Sequence, residues 1–433
     1  MRILLKNCRI IDGINNYKGL LDILIADEKI SRIDKHIDDV EAEKIIDVQG
    51  NIVAPGFIDM HCHLREPGFE YKETIESGSR AAAKGGYTTV CCMPNTKPAI
   101  DSIRMVRELR KRIYESSDIE IIPIGALTIG QRGLEICDFK AMTSDDVKFF
   151  SDDGYSIMDN AIMMECLRQS KLHDFLVIDH CEDMGLSKGG VINEGRISQK
   201  LGLKGIPKIA EELQVMRDVM LAEYTGASIH IAHISTEGSL DIIRWAKQRG
   251  VKVSCEVTPH HISLSEEDII PSDTSFKVNP PLRTIEDVDA LRKGLQDGMI
   301  DVIATDHAPH SDLDKPGDFY KAANGISGIE LSFPVCYTYL VKEGLLTMEE
   351  LIKKMSYNPS KLLGLSKGVI EKGRDSDLTV VDIESQFIVD RNQLVSKGKN
   401  TPFHGKKLWG ETLMTISKGK VVYEKEGRFN VYR

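Results

Sequence analysis

The chain of 433 residues contains no run of apolar residues long enough to span a bilayer, so a helical membrane protein is excluded. It has no excess of positive charge. The net charge of −10 argues against general binding to nucleic acid or to an anionic membrane surface, although a small anionic substrate answers only to local charge in a cleft. The nine cysteines are scattered and include no C-x-x-C pair. The opening Met1-Arg2-Ile3-Leu4-Leu5-Lys6-Asn7 is too soon interrupted to read as a signal peptide. Reduced thiols in a cytoplasm are therefore expected. There is no low-complexity tract.

What is present describes an ordinary globular protein, 41% hydrophobic and 28% charged, long enough for one large domain and a smaller one. Residues 1–54 carry short alternating apolar runs (Leu21-Asp22-Ile23-Leu24-Ile25, Lys44-Ile45-Ile46-Asp47-Val48) separated by turn signals such as Asp12-Gly13. Residues 366–433 have the same texture: a strand at Asp377–Asp382, then a hairpin of Leu413–Ile416 and Lys420–Tyr423 split by Lys418-Gly419. Chain ends often lie close together, so both ends are expected to build one small β-sandwich.

Between them, in residues 55–365, strand-like runs alternate with helical segments at 99–115, 207–225, 237–249 and 285–297. The strands are expected at Phe57 onward, Tyr87–Met93, Ile119–Leu127, Val147–Phe150, Phe175–His180, Ser228–His233, Lys252–Val257 and Asp301–Asp306. Eight parallel strands of this kind close into an α/β barrel, (β/α)8, a TIM-like fold.

One stretch organises the rest: Ile58-Asp59-Met60-His61-Cys62-His63-Leu64-Arg65. Side chains alternate along a strand, so His61 and His63 face one way and Cys62 the other. Two imidazoles at a strand's end can grip one metal ion. Active sites in such barrels lie at the C-terminal strand ends. Lys148 falls on strand four, His180 on five, His233 on six and Asp306 on eight. Singly each has an ordinary explanation; Asp306, for instance, could cap the following helix. Four histidines and an aspartate at matching strand ends together point to a metal centre.

The motifs Asp59-Met60-His61-Cys62-His63-Leu64-Arg65-Glu66-Pro67-Gly68 and Ala304-Thr305-Asp306-His307-Ala308-Pro309-His310, the latter followed by Lys315, resemble the two signatures of the dihydroorotases, within the amidohydrolase superfamily. Weaker echoes run through Gly85–Val90, Met93-Pro94-Asn95-Thr96 and Thr401–Gly405, so the resemblance covers nearly the whole chain. It implies two zinc ions, His61, His63 and Asp306 holding one and His180 and His233 the other. For the bridging anion two residues compete: Lys148 as its CO₂ carbamate, which is preferred, and Asp153 in Ser151-Asp152-Asp153-Gly154. The implied reaction is reversible conversion of N-carbamoyl-L-aspartate to L-dihydroorotate in pyrimidine synthesis. Asp306 would take the proton of the attacking water and return it to the departing nitrogen.

Arg65, with a planar fork suited to a carboxylate, is expected to clamp the substrate together with Asn95 and His310. Asn279, Asn324 and Gly325 resemble the family's contacts to the ring amide edges. His307 reads as structural, and His260 and His261 take no assigned role. The polar stretch Ser311–Ala323 is either a loop over the site or a passive connection. Rival readings are an allantoinase or dihydropyrimidinase-like hydrolase, whose rings lack the carboxylate that Arg65 and His310 suit. Another is an inactive scaffold for aspartate transcarbamoylase, which the filled ligand positions disfavour. An oligomer, or a complex with that enzyme, stays open.

Overall fold

Alternating apolar residues near both ends of the chain meet in one mixed sheet of nine strands. The computed structural model describes residues 2–429 and the strand Val431–Tyr432. From one edge the sheet runs Lys420–Glu424, Lys407–Ser417, Leu378–Ile388, Ile52–Pro55, Arg2–Ile10, Leu21–Ala26, Lys29–Asp34. Lys44–Asp47 and Val431–Tyr432 branch from Arg2–Ile10. Leu378–Ile388 pairs antiparallel with Ile52–Pro55, so the two chain ends are joined by backbone hydrogen bonds. Ile3, Leu5, Ile23, Val53, Val380, Met414 and Ile416 form one apolar core there.

After the Pro55-Gly56 break the chain becomes α/β. Eight parallel strands follow: β1 Phe57–Cys62, β2 Tyr87–Cys92, β3 Glu120–Pro123, β4 Phe149–Phe150, β5 Leu176–Asp179, β6 Ile229–Ile231, β7 Val253–Val257 and β8 Val302–Ile303. They form two sets, β1-β2-β3 and β4-β5-β6-β7-β8, in which each strand pairs with its neighbour in sequence. Parallel bridges Gly125–Phe150 and Cys62–His307 lie between the sets, one on each side. An apolar cluster takes Ile58 and Met60 from β1, Cys91 from β2, Phe149 from β4, Ile178 from β5 and Val302 from β8.

Helices fall where the periodicity places them, among them α2, Ile209–Thr225, and α3, Glu237–Gln248. Thr236 caps α3 by accepting from Ser239 N at 3.0 Å. A further helix, α1 (Asn160–His173), begins at Asp159, whose carboxylate accepts from Ala161 N at 2.8 Å. Several strands are shorter than expected. β4 and β8 span two residues each: β4 begins two residues later than expected and β8 ends three residues earlier. None of the described helices is long and apolar enough to cross a membrane, and the nine cysteines are free and buried.

Candidate metal centre and active site

Strict alternation from Ile58 would send His61 out with Asp59 and bring Cys62 in with Met60. The structure does the opposite. The β1–β2 register slips between Asp59 and Cys62. After that irregularity Cys62 joins the outer core, and His61 and His63 turn toward the C-terminal mouth of the strands. Asp59 fixes the irregularity: its carboxylate accepts from His61 N (3.2 Å), Thr305 N (2.9 Å) and Thr305 Oγ1 (2.5 Å), tying β1 to the chain after β8. Three non-glycine residues take positive φ where they enter the site, Arg65 (60°), His233 (28°) and Asp306 (44°). Such backbone persists only where the surroundings hold it in place.

Four imidazoles and two carboxylates converge there. Asp306 Oδ1 lies 3.0 Å from His63 Nε2 and 3.5 Å from His61 Nε2. Asp153 lies within 3.3 Å of His61, 3.4 Å of His63, 3.5 Å of His233 and 3.7 Å of His180. All six side chains are buried. Burial opposes the charge of Asp306 and Asp153, but the surrounding imidazoles outweigh it and hold both well below the usual carboxylate range. Burial likewise opposes protonation of His61, yet Asp153 and Glu256 raise its pKa. His61 Nε2, Asp153 Oδ1 and His233 Nδ1 are buried and make no hydrogen bond. Buried polar atoms without partners are costly. Here they converge as oxygen and nitrogen donors, and the triads His61/His63/Asp306 and His61/Asp153/His233 each bring three within 4.8 Å of one another. The residues present fit a metal centre.

Lys148 does not belong to it. The expectation of a carboxylated lysine bridge fails because Lys148 precedes β4, whereas the centre lies beyond the strand's other end. Asp153 follows five positions later, after the two-residue strand Phe149–Phe150 has carried the chain to that other end. Its ammonium is half exposed, 3.8 Å from Asp146. It lines a separate cavity of about 960 Å³ with Glu120, Leu176, Ile229 and Val253, the first residues of β3, β5, β6 and β7. Asp153 occupies the position between the histidines instead.

Several residues hold the ligands in ways that the sequence did not show. Glu256, on β7, accepts from His61 Nδ1 at 2.7 Å and from His230 Nε2 at 3.1 Å. It is buried, a cost outweighed by the two imidazoles, which bring its pKa down to about 2. A carboxylate on Nδ1 fixes the tautomer that leaves Nε2 free for a metal. Asn95 does the same for His63, its Oδ1 lying 2.9 Å from Nδ1. Glu182 stands 3.4 Å from His180 Nε2 and accepts from Asn279 Nδ2 at 2.9 Å. Only the alternation of β7, placing a lone acid in an apolar strand, hinted at Glu256. His307 points away from the centre, accepting from Gly328 N at 3.2 Å.

A cavity of about 230 Å³ opens above the centre, lined by His63, Arg65, Asn95, Asp153, His180, His233, Asn279, Asp306, Asn324 and Gly325, with Tyr155 at its edge. His310 stands behind Arg65. Burial, then Arg65 and Lys72, push its pKa far down, so the ring is neutral. Nε2–H donates to Asn324 O at 2.8 Å, and Nδ1 accepts from Lys72 Nζ at 3.3 Å. Arg65 Nη2 lies 3.2 Å from the same Nε2 but cannot donate to a nitrogen that already carries a proton. Arg65 Nε donates to Pro309 O at 3.2 Å. The guanidinium thus has a donor to spare at the cavity wall. Across the rim Lys315 Nζ donates to Thr274 O (3.1 Å) and Lys277 O (2.8 Å), fastening the 311–323 segment to the segment that carries Asn279.

Residues 50–239 match the family model described as dihydro-orotase-like, and residues 230–423 match that of the amidohydrolase family. The chain is 47% identical over 420 residues to a dihydroorotase of Acetivibrio thermocellus, covering 97% of this chain and 98% of that one. It is 48% identical over 426 residues to a dihydroorotase of a Thermoanaerobacter species, covering 98% of each. Among solved structures, the L-hydantoinase (dihydropyrimidinase) of Arthrobacter aurescens superposes with a TM-score of 0.88 at 27% identity, covering 98% of this chain and 96% of that one. Near-full-length identity at this level, together with the convergent histidines and aspartates, means that the chain belongs to the dihydroorotase family of amidohydrolases.

Proposed function

We propose that this protein is a zinc-dependent dihydroorotase, interconverting N-carbamoyl-L-aspartate and L-dihydroorotate in pyrimidine synthesis. The observation that carries the reading is the spare donor of Arg65 at the wall of a cavity floored by the histidine–aspartate cluster. It suits a cyclic amide bearing a carboxylate. The nitrogen and oxygen donor set suits zinc: His61, His63 and Asp306 would hold one ion and His180 and His233 a second, with Asp153 as the shared anionic donor. When bound, such ions lower the pKa of water toward about 7 and polarise a carbonyl.

The remaining work falls to the chain. Arg65, with Asn95 beside it and His310 behind it, holds the substrate carboxylate, while Asn279 and the Asn324-Gly325 backbone hold the ring's amide edges. Asp306, kept ionised by its imidazole neighbours, takes the proton of the attacking water and delivers it to the ring nitrogen as the amide bond breaks. Reversal of the same transfers closes the ring.

The framework is read as a (β/α)8 barrel over 55–365. Sequential pairing of eight parallel strands, and the bridges at both ends of the two sets, support this. Residues 1–54 and 366–433 are read as one β-sandwich. Arg2–Ile10 supports it by pairing first with Lys44–Asp47 and then with Ile52–Pro55, as a strand that changes sheets does. A cytoplasmic location, without nucleic-acid or membrane partners, fits the composition.

The likeness to hydantoinases raises one rival, a ring lacking the carboxylate. Purified zinc-loaded protein should turn over dihydroorotate and not hydantoin or allantoin, and Asp306→Asn should abolish that turnover in a folded protein. Turnover of hydantoin without dihydroorotate would overturn the assignment.

A further inference from the structure

Two loops of the barrel mouth wall the substrate cavity. One carries Ala308 and Pro309, whose carbonyl accepts from Arg65 Nε; the other carries Asn324 and Gly325. Behind both stands Asn400, which belongs to neither. It comes from the segment between two strands of the chain-end sheet, Leu378–Ile388 and Lys407–Ser417. Its side chain is buried and uses every hydrogen-bonding position it has. Oδ1 accepts from His310 N at 2.8 Å and from Ser327 Oγ at 2.8 Å. Nδ2 donates to Ala308 O at 3.2 Å and to Gly325 O at 2.9 Å. A primary amide has two acceptor sites and two donor hydrogens, so none is left over. A backbone N–H can only donate and a carbonyl only accept, so these partners allow the amide one orientation.

The segment that delivers Asn400 is fastened to the barrel along its length. Val395 N and Ser396 N donate to Glu330 Oε1 at 2.8 and 3.0 Å, and Lys397 N donates to Glu73 Oε1 at 3.2 Å. Ser327 N donates to Asn400 O at 2.9 Å. Gly398 lies against the first loop: a Cβ there would stand 2.6 Å from His310 N and 2.8 Å from Pro309 Cα. Glycine allows that close approach of two backbones.

We propose that Asn400 is a positioning residue for the substrate. It sets the spacing between the wall that aims Arg65 and the wall that carries Gly325, so that the carboxylate and the amide edge of one ring are met together. A rigid ring cannot follow a wall that has moved, and a displacement of about 1 Å can cost about 100-fold. Asn400 itself lines neither the cavity nor the histidine–aspartate cluster, so its effect passes through the two loops. The nature of the ring rests on the dihydroorotase reading; the clamp does not.

Hydrogen exchange and steady-state kinetics on the full zinc-loaded chain test this. Asn400→Ala should speed amide exchange in both 308–310 and 324–327. It should raise KM for dihydroorotate by about 10-fold or more, the effect of one lost hydrogen bond to a charged group. Zinc content should be unchanged and kcat should stay within about three-fold, because the altered walls bind the substrate without touching the reacting bond. Gly398→Ala removes no polar group but forces the segment away from Pro309, and should shift exchange and KM in the same direction. A folded Asn400→Ala with the wild-type KM overturns the proposal, as does one that loses zinc and kcat with no rise in KM. If Asn400→Ala does not fold, Gly398→Ala decides by the same readouts. A wild type that does not turn over dihydroorotate defeats the functional reading alone. Exchange then judges the clamp, and loops that exchange no faster in the variants overturn it.

Discussion

Replacing Glu256 by glutamine tests how the centre is held together, because it removes charge with almost no change of shape. In the native chain one carboxylate oxygen takes the Nδ1 proton of His61 at 2.7 Å and the other that of His230 Nε2 at 3.1 Å. Glutamine can accept from only one of them. His230 has a second partner, Ser254 Oγ at 2.7 Å from Nδ1, and can change tautomer against that hydroxyl. The amide oxygen can then keep His61, so the fold survives and the loss is chiefly electrostatic. A hydrogen bond to a charged group contributes about 1.5–3 kcal/mol against about 1 for a neutral one. Losing that difference, about 0.5–2 kcal/mol, at His61 weakens zinc binding by roughly 2- to 30-fold, which overlaps the range of about 10- to 100-fold known for partners of metal ligands.

Competition against a chelator measures that affinity, and turnover against free zinc measures its consequence. We expect turnover to recover within a few-fold at saturating zinc, since Glu256 touches no substrate. The advantage of the carboxylate should be constant from neutral pH down to about 5. Its folded pKa is depressed to about 2 from 4.5, so its contribution is present above 4.5 and fades only as the pH falls toward 2. Unchanged zinc affinity in Glu256→Gln, or a loss of turnover that zinc does not restore, would refute the reasoning.

Other changes have distinct signatures. Lys148→Met should leave zinc content and turnover at wild-type values, whereas Asp153→Ala should lose zinc and turnover together by at least about 100-fold; an inactive Lys148→Met would restore the carbamate reading. Arg65→Lys should raise KM for dihydroorotate about 10-fold or more with zinc stoichiometry intact, because one ammonium cannot replace the planar fork; an unaltered KM counts against the clamp. Asp59 is pushed up to about 6 by burial, from 3.8. Its folded pKa exceeds the unfolded one, so the stability it confers is complete below 3.8 and lost as the pH rises through 6. Asp59→Asn should therefore flatten the pH dependence of the unfolding free energy between pH 4 and 6, by up to about 3 kcal/mol; parallel wild-type and variant curves would show that Asp59 does not titrate there.

The sequence alone settled what depends on local periodicity and on contiguous motifs. The alternating runs at both ends, the repeated strand–helix rhythm and the His61-x-His63 pair are properties of neighbours along the chain. Their side chains point where a strand or helix of fixed repeat sends them. The resemblance carried by Asp59–Gly68 and Ala304–His310 rested on the same contiguity. Even so, the facing of His61 followed strict alternation only in appearance: a register slip held by Asp59 and Thr305, 246 residues apart, brings it about.

Only the tertiary structure could choose between Lys148 and Asp153. They lie five positions apart in one segment and differ in which end of a two-residue strand they occupy, which depends on where its neighbours pair. Glu256, the bond from Asn95 to His63 and the neutral state of His310 escaped the sequence for a related reason. Each depends on a residue far away in the chain, and a single acid or amide in a strand looks alike whether its partner is water or a metal-ligating imidazole. What closeness along the chain dictates is written in the letters. What closeness across the fold dictates, from pKa values to the free donor of Arg65, exists only once burial strips away water and leaves each polar atom the partners it has.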